Sequence, residues 1–161
     1  MGAPDSAIIR LEQAVGGSWR HIRSARSAAD VTRERLAAAV DDEGGPDTVL
    51  VAFGSLARGE LTKGSDLDWT LLVNGPAALA QLESIPRIRQ KLKQVLPVGP
   101  NPTGPFGSIS SAYELVHRIG GDSDTNRITT QRVLLLLESI PIRTAEQDRL
   151  AHDRVVRAVL D

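Results

Sequence analysis

Two aspartates one residue apart, Asp66 and Asp68, stand just before an apolar run from Trp69 to Val73. That run has the length and composition of a buried strand. Because residues i and i+2 of a strand project to the same face, the two carboxylates are expected to lie a few ångströms apart. Carboxylates at that separation raise each other's pKa unless a cation lies between them. The pattern therefore predicts a hard divalent cation, above all Mg²⁺ with Mn²⁺ as an alternative.

A second chemical element follows another apolar run, Val49 to Phe53, which ends at Gly54-Ser55. The pair predicts a tight turn from a strand into a helix, since Leu56 to Arg58 has the composition of a first helical turn. Backbone N–H groups at such a turn and the Ser55 hydroxyl can approach a phosphate closely, and the helix N-terminus adds positive potential. One half of the unit is thus expected to bind phosphates and the other to hold the metal that phosphates bind.

The order of these residues resembles the signature of the DNA polymerase β-like nucleotidyltransferase superfamily. Phe53-Gly54-Ser55 is followed by residues 56–65 and then by Asp66-Leu67-Asp68-Trp69. The family pattern is a hydrophobic residue, Gly, then Gly or Ser, a spacer of similar size, and Asp-hydrophobic-Asp-hydrophobic. Residues 58–60 and 63–68 are similar to its bacterial branch related to the uridylyltransferases of nitrogen regulation. The structural alternative is a hairpin-like unit whose acidic loop only caps a helix.

The resemblance covers roughly residues 47–140 and implies an α/β (α+β) fold, with a small mixed sheet and helices packed on one side. It implies transfer of a nucleoside monophosphate from a nucleoside triphosphate, such as ATP, to an unidentified hydroxyl acceptor, with release of pyrophosphate. The alternative is a weak or inactive nucleotide-binding module, regulatory or antitoxin-like, that acts through protein contacts. The expected division is a helical segment over 1–45, a core over 46–140 and a C-terminal helix over 141–161, which would begin a missing helical domain.

The resemblance also assigns roles to individual residues. Asp66 and Asp68 would hold the metal together with a third carboxylate, for which Glu114 is favoured by its order in the chain. Asp122 and Asp124 are rivals for that role, although capping of the following helix also explains them. The residues expected to bind the nucleotide phosphates are Gly54, Ser55, Arg58, Lys63 and Ser65.

Composition limits the remaining choices. The formal net charge is −1 and aromatic residues make up 3% of the chain, so general nucleic-acid binding is not expected and any polyanion site must be local. The basic stretch from Trp19 to Arg26 is interpreted as a solvated helix face in preference to a docking site for an anionic partner. Without cysteines, a basic leader or a membrane-spanning apolar run, a cytoplasmic protein is predicted.

Periodicity supplies the elements around the motif. Helices are predicted over 7–15, from Ser27 to about Val40, over 79–95 with a break or kink at Pro86, over 127–139, and from Thr144 to the end. A turn with Pro76 precedes the third helix, and a short strand is predicted over 106–113. The Pro/Gly-rich stretch 97–107 is either a loop over the nucleotide or a spacer.

Overall fold

The structure is a computed structural model that describes residues 5–75 and 77–161, so residues 1–4 and the predicted turn residue Pro76 lie outside the described part. It contains seven helices and four strands in the described residues. These are α1 Asp5–Val15, α2 Arg20–Ala39, β1 Thr48–Phe53, α3 Gly54–Ala57, β2 Trp69–Val73, α4 Leu79–Val95, β3 Ser108–Ser111, α5 Ala112–His117, α6 Asn126–Leu137, β4 Ser139–Pro141 and α7 Glu146–Leu160.

The four strands form one mixed sheet in the order β3-β2-β1-β4. β1 is antiparallel to both of its neighbours, with Ala52 opposite Trp69 of β2 and Phe53 opposite Ser139 of β4. β3 is parallel to β2, and α4 is the crossover helix between them, as a parallel pair requires. The predicted mixed α/β fold is confirmed.

Helices cover both faces of this sheet, whereas the family resemblance predicted them on one side. Leu50 and Ala52 of β1 pack in a core cluster with residues of α2 and α4. Val51 and Phe53 pack in a second cluster with residues of α5, α6 and α7. Every residue of β1 and β2 is buried, so both faces of the two central strands need cover from helices.

The end of α6 differs from the predicted helix over 127–139. The helix ends at Leu137, and Ser139–Pro141 pairs with β1 as an edge strand. Pro141 is tolerated there because an edge position does not require its missing N–H. A strand of three residues is too short to show an alternating pattern, so the sequence alone did not separate it from the helix.

One predicted helix boundary also moved, and the helix that contains Pro86 is not broken there. α2 is continuous from Arg20, so Ser27 does not begin a helix, and α4 continues through Pro86 without ending. At the C-terminus, α7 is part of the core, since its Val155 is buried in the second cluster. The division of the chain at residues 45 and 140 stays a prediction. Within the described residues, no helix combines the length and the apolar character needed to cross a membrane.

Candidate active site

The turn after β1 has the geometry that the sequence predicted. Phe53 is extended, and Gly54 follows with φ of 66°, a left-handed conformation that favours glycine. Among the described residues, a Cβ built on Gly54 would have no heavy atom within 4 Å apart from its chain neighbours and its own helix, so the turn opens onto free space. The one-turn helix α3 then begins at Gly54 itself. The backbone can therefore be approached closely at this point.

Backbone hydrogen bonds place the aspartate pair against this turn. The Phe53 N–H donates to the Asp68 carbonyl at 3.0 Å, so Asp68 lies beside the last residue of β1. Leu67 points to the opposite face, where it is buried in the first core cluster, as the alternation predicted. Asp68 is half-buried and Asp66 is exposed. The two halves of the sequence motif thus meet at the same end of the two central strands.

The electrostatics of the pair favour a bound cation. Burial of the Asp68 carboxyl, followed by the charges of Asp66 and Glu138, raises its pKa to about 6. The pKa of an aspartate rises in this way when its negative charge lacks compensation. A divalent cation beside the pair would supply that compensation.

Glu138 is a carboxylate that the sequence analysis did not assign to the site. It lies between α6 and β4, and its carbonyl accepts a hydrogen bond from the Gly54 N–H at 3.3 Å. Its side chain forms an ion pair with Arg58, which also donates to Glu60 at 2.8 Å. The sequence carries no periodic signal for Glu138, because the strand that follows it is only three residues long.

Glu114 lies elsewhere in the fold. It lies in the first turn of α5, which follows the end of β3 where Ser111 pairs with Val73 of β2. Its carboxylate forms an ion pair with Arg118 at 3.1 Å. It lines a cavity of about 520 Å³ together with Gly75, which follows β2. The length of β2 separates this cavity from Asp68 by roughly 16 Å. The structure therefore does not bring Glu114 to the aspartate pair.

The rival acids are also accounted for. Asp124 accepts two hydrogen bonds from Arg132, at 3.0 and 3.1 Å, and these lower its pKa. Thr125, rather than Asp124, caps α6 through the Ile128 N–H. Asp122 is exposed in the preceding turn. The ion pair of Asp124 and Arg132 gives both side chains a structural explanation.

The remaining predicted phosphate ligands lie in the loop between α3 and β2. The Ser65 hydroxyl accepts from the Thr62 N–H at 3.0 Å, while the Ser65 N–H donates back to the Thr62 carbonyl at 3.2 Å. Ser65 thus closes the turn that leads to Asp66. Lys63 is exposed at the tip of that turn. Lys63 stands three residues before Asp66 in the chain, and Arg58 follows the Gly54–Ala57 helix.

The Pro/Gly-rich stretch 97–107 is bound along the strand of the aspartate pair. The Leu67 N–H donates to the Val98 carbonyl at 3.0 Å, and the Gly107 N–H donates to the Trp69 carbonyl at 2.7 Å. The ring of Phe106 lies 4.8 Å from that of Phe53, measured between centroids. The stretch therefore lies beside the candidate site, and its role as a loop over the nucleotide stays a prediction.

The donor set can be tested against Mg²⁺. Across residues 5–75 and 77–161, no group of three or more Asp, Glu, His or Cys side chains converges closely enough to hold a metal ion by itself. Mg²⁺ is commonly bound by one or two carboxylates that are completed by water and substrate phosphates. Two aspartates beside an open turn fit that mode of binding, which does not require a site made of protein ligands alone.

Comparison with known proteins agrees with this site. Residues 33–101 match the model of a family described as the nucleotidyltransferase domain, and this range includes both the Gly54-Ser55 turn and the aspartate pair. No curated protein sequence is significantly similar to the chain. A solved structure described as a toxin–antitoxin with AMP-PNP is similar with a TM-score of 0.43 and 15% identity, over 78% of this chain and 84% of that chain.

Proposed function

We propose that this chain transfers a nucleoside monophosphate from a nucleoside triphosphate to a hydroxyl acceptor and releases pyrophosphate. The observation that carries the proposal is the backbone pairing of Asp68 with Phe53, which sets the aspartate pair directly beside the open Gly54 turn. The match of residues 33–101 to the nucleotidyltransferase domain supports it.

Each residue of the site has a role in an in-line displacement at the α-phosphorus. Asp66 and Asp68 would hold Mg²⁺, which when bound neutralises charge on the phosphates and lowers the pKa of the attacking hydroxyl. Gly54 and Ser55 bind the β- and γ-phosphates, with Arg58 and Lys63 as nearby positive charges. The acceptor oxygen forms a bond to the α-phosphorus as the bond between the α-phosphorus and the oxygen that bridges it to the β-phosphate breaks. Pyrophosphate takes that electron pair, and the hydroxyl proton passes to a carboxylate or to water.

Glu138 replaces Glu114 as the third carboxylate in this proposal. Its charge already acts on Asp68, while Glu114 lies at the far end of β2. In the described structure Glu138 pairs with Arg58. Triphosphate oxygens that attract the Arg58 guanidinium would release Glu138 toward the metal.

The test is incorporation of label from each α-³²P nucleoside triphosphate, with Mg²⁺ and a fractionated cell extract as the acceptor source. The wild-type chain and Asp68→Asn are compared in parallel. Label that enters an extract component only with the wild type supports the proposal. Equal labelling by the two proteins, or no labelling with any of the four nucleotides, contradicts it.

A second candidate is nucleotide binding without turnover, as in a regulatory module. Two observations favour it: Arg58 pairs with the Glu138 carboxylate, and no three acidic groups converge in the described residues. This candidate requires magnesium-dependent binding of a nucleotide with no pyrophosphate released for any acceptor. Release of pyrophosphate that depends on Asp68 would exclude it.

A further inference from the structure

Two of the four cations on α4 are neutralised by the acidic loop that precedes β1. Residues 84–107 contain four cationic residues, all of them on α4, and no acidic residue. The Arg87 guanidinium lies 3.3 Å from the Glu43 carboxylate, and the Lys91 ammonium lies 3.0 Å from the same carboxylate. Lys91 also pairs with Asp42. The other two cations of α4 lie outside this network.

Arg89 and Lys93 are these other two cations, and they face the Pro/Gly-rich stretch 97–107. They are neighbours on the helix surface because they are four residues apart. The Arg89 guanidinium donates to the Gly107 carbonyl at 2.9 Å, and the Cε of Lys93 lies 3.7 Å from the position that a Cβ of Gly99 would occupy. Within residues 5–75 and 77–161, neither side chain forms an ion pair with a carboxylate. The two charges are therefore available to a bound anion.

A cavity of about 350 Å³ lies between this pair of cations, the Pro/Gly-rich stretch and β2. We name it the α4 cavity; the lining residues that matter here are Leu67, Trp69, Arg89, Lys93, Pro100 and Phe106. Its volume falls in the range of small-molecule sites, and like them it combines apolar walls with a few charged groups. Leu67 and Trp69 alternate with Asp68 along the chain, so the α4 cavity adjoins the face of β2 that points away from the aspartate pair.

Backbone contacts hold the walls of the α4 cavity in place. Gly107 connects two of them, because its N–H donates to the Trp69 carbonyl at 2.7 Å while its carbonyl accepts from Arg89. Gly107 has φ of 77°, and a Cβ at this position would lie 2.9 Å from the Cγ of Pro100. Only glycine permits this close approach between the two ends of the stretch. The cavity is therefore built into the fold before any ligand binds.

We infer that the α4 cavity binds a small amphipathic anion, whose carboxylate or phosphate lies between Arg89 and Lys93 and whose apolar part packs against Pro100 and Phe106. Two cations one helical turn apart can both donate charge-assisted hydrogen bonds to a single oxyanion. The proline and phenylalanine rings supply rigid apolar surface beside that anion. Because the cavity and the aspartate pair lie on opposite faces of β2, this site is separate from the proposed nucleotide site, and the inference does not rest on the proposed function.

The test is a fluorescence titration of the Trp19→Phe chain, in which Trp69 of the cavity is the only remaining tryptophan. The probes are phenyl phosphate and benzoate, added in the presence of EDTA, and they distinguish a phosphate ligand from a carboxylate ligand. Inorganic phosphate and benzyl alcohol present the anion and the ring separately. We expect saturable binding of at least one aromatic anion, with a Kd at least about tenfold lower than that of either separate part.

Lys93→Gln, made in the same Trp19→Phe chain, should raise the Kd of the bound probe at least about fivefold, and Lys93→Arg should restore most of the affinity. Lys93 is exposed, so its replacement is not expected to disturb the fold. Arg87→Gln is the matched control, because it removes one charge from the same helix outside the cavity, and it should leave the Kd within about twofold. Three results would overturn the inference: no saturable change with either aromatic anion, inorganic phosphate bound as tightly as phenyl phosphate, or equal effects of Lys93→Gln and Arg87→Gln.

Discussion

Asp68 carries a negative charge that its surroundings disfavour. Its pKa of about 6 exceeds the ordinary value of 3.8, so the folded chain binds this proton more tightly than the unfolded chain does. The contribution of Asp68 to stability is therefore fully present below about pH 4 and is lost as the pH rises through 6. At neutral pH without metal, the ionised side chain is a cost that a divalent cation would remove.

We expect Asp68→Asn to increase the free energy of unfolding at pH 7.5 without metal by about 1 kcal/mol, a value reduced for solvent screening. The gain should shrink toward pH 4.5, where the wild-type carboxyl is protonated. Urea denaturation in EDTA at both pH values measures it. Asp66→Asn is the control and should gain less, because Asp66 is exposed. An Asp68→Asn chain less stable than the wild type at pH 7.5 would be inconsistent with the crowded-charge explanation.

A pair of isosteric substitutions separates the two candidates for the third carboxylate. We expect Glu138→Gln to lower nucleotidyl transfer at least tenfold, because it removes a charge that acts on Asp68. Glu114→Gln should leave transfer within twofold of the wild type. Label incorporation under matched conditions measures both. A large loss for Glu114→Gln with none for Glu138→Gln would return the role to Glu114.

Among the elements, the β1–α3–β2 unit was predicted closely, because its apolar runs, its turn glycine and its alternating aspartates are local signals. β4 was not, although it positions Glu138. Its pairing with β1 joins residues far apart in the chain, and its three residues carry no periodicity of their own. Glu114 was chosen by its order along the chain. That order does not reveal that β3 runs parallel to β2, so that α5 and Glu114 lie at the end of the strands away from the aspartate pair.

α7 is held to the sheet by a buried ion pair. The Arg143 guanidinium donates to Asp148 at 2.7 Å and to the carbonyls of Glu43 and Thr48, which flank the start of β1. Because Asp148 is only 3% exposed, Arg143→Ala leaves a buried carboxylate without its cation. We expect a loss of about 3–5 kcal/mol in the free energy of unfolding, measured by urea denaturation.

The control for this prediction is Arg154→Ala on the exposed side of α7, which should change stability by less than about 0.5 kcal/mol. Similar losses for the two variants would mean that α7 is not held by the Arg143–Asp148 pair.

For the whole molecule, the family resemblance placed the helices on one side of the sheet, whereas they cover both faces. The uninterrupted apolar runs of β1 and β2 are the pattern of strands buried on both faces, which the structure confirms with helices on both sides. The residue order identified the basic stretch of α2, which the net charge of −1 does not show, but it did not locate that stretch in the fold. Its position beside Gly59 depends on how α2 packs on the sheet, which no local pattern in the sequence encodes.

In the proposed function, Asp66 and Asp68 bind a metal–nucleoside triphosphate beside the Gly54 turn. The most direct test is the melting temperature of the wild type and Asp68→Asn with Mg²⁺ and each of the four nucleoside triphosphates. At a hundredfold excess over Kd, binding adds about 2.7 kcal/mol, which corresponds to a shift of roughly 5–10 °C. We expect such a shift for at least one nucleotide, only with Mg²⁺ and only in the wild type. No shift with any nucleotide, or an equal shift in Asp68→Asn, would contradict the claim.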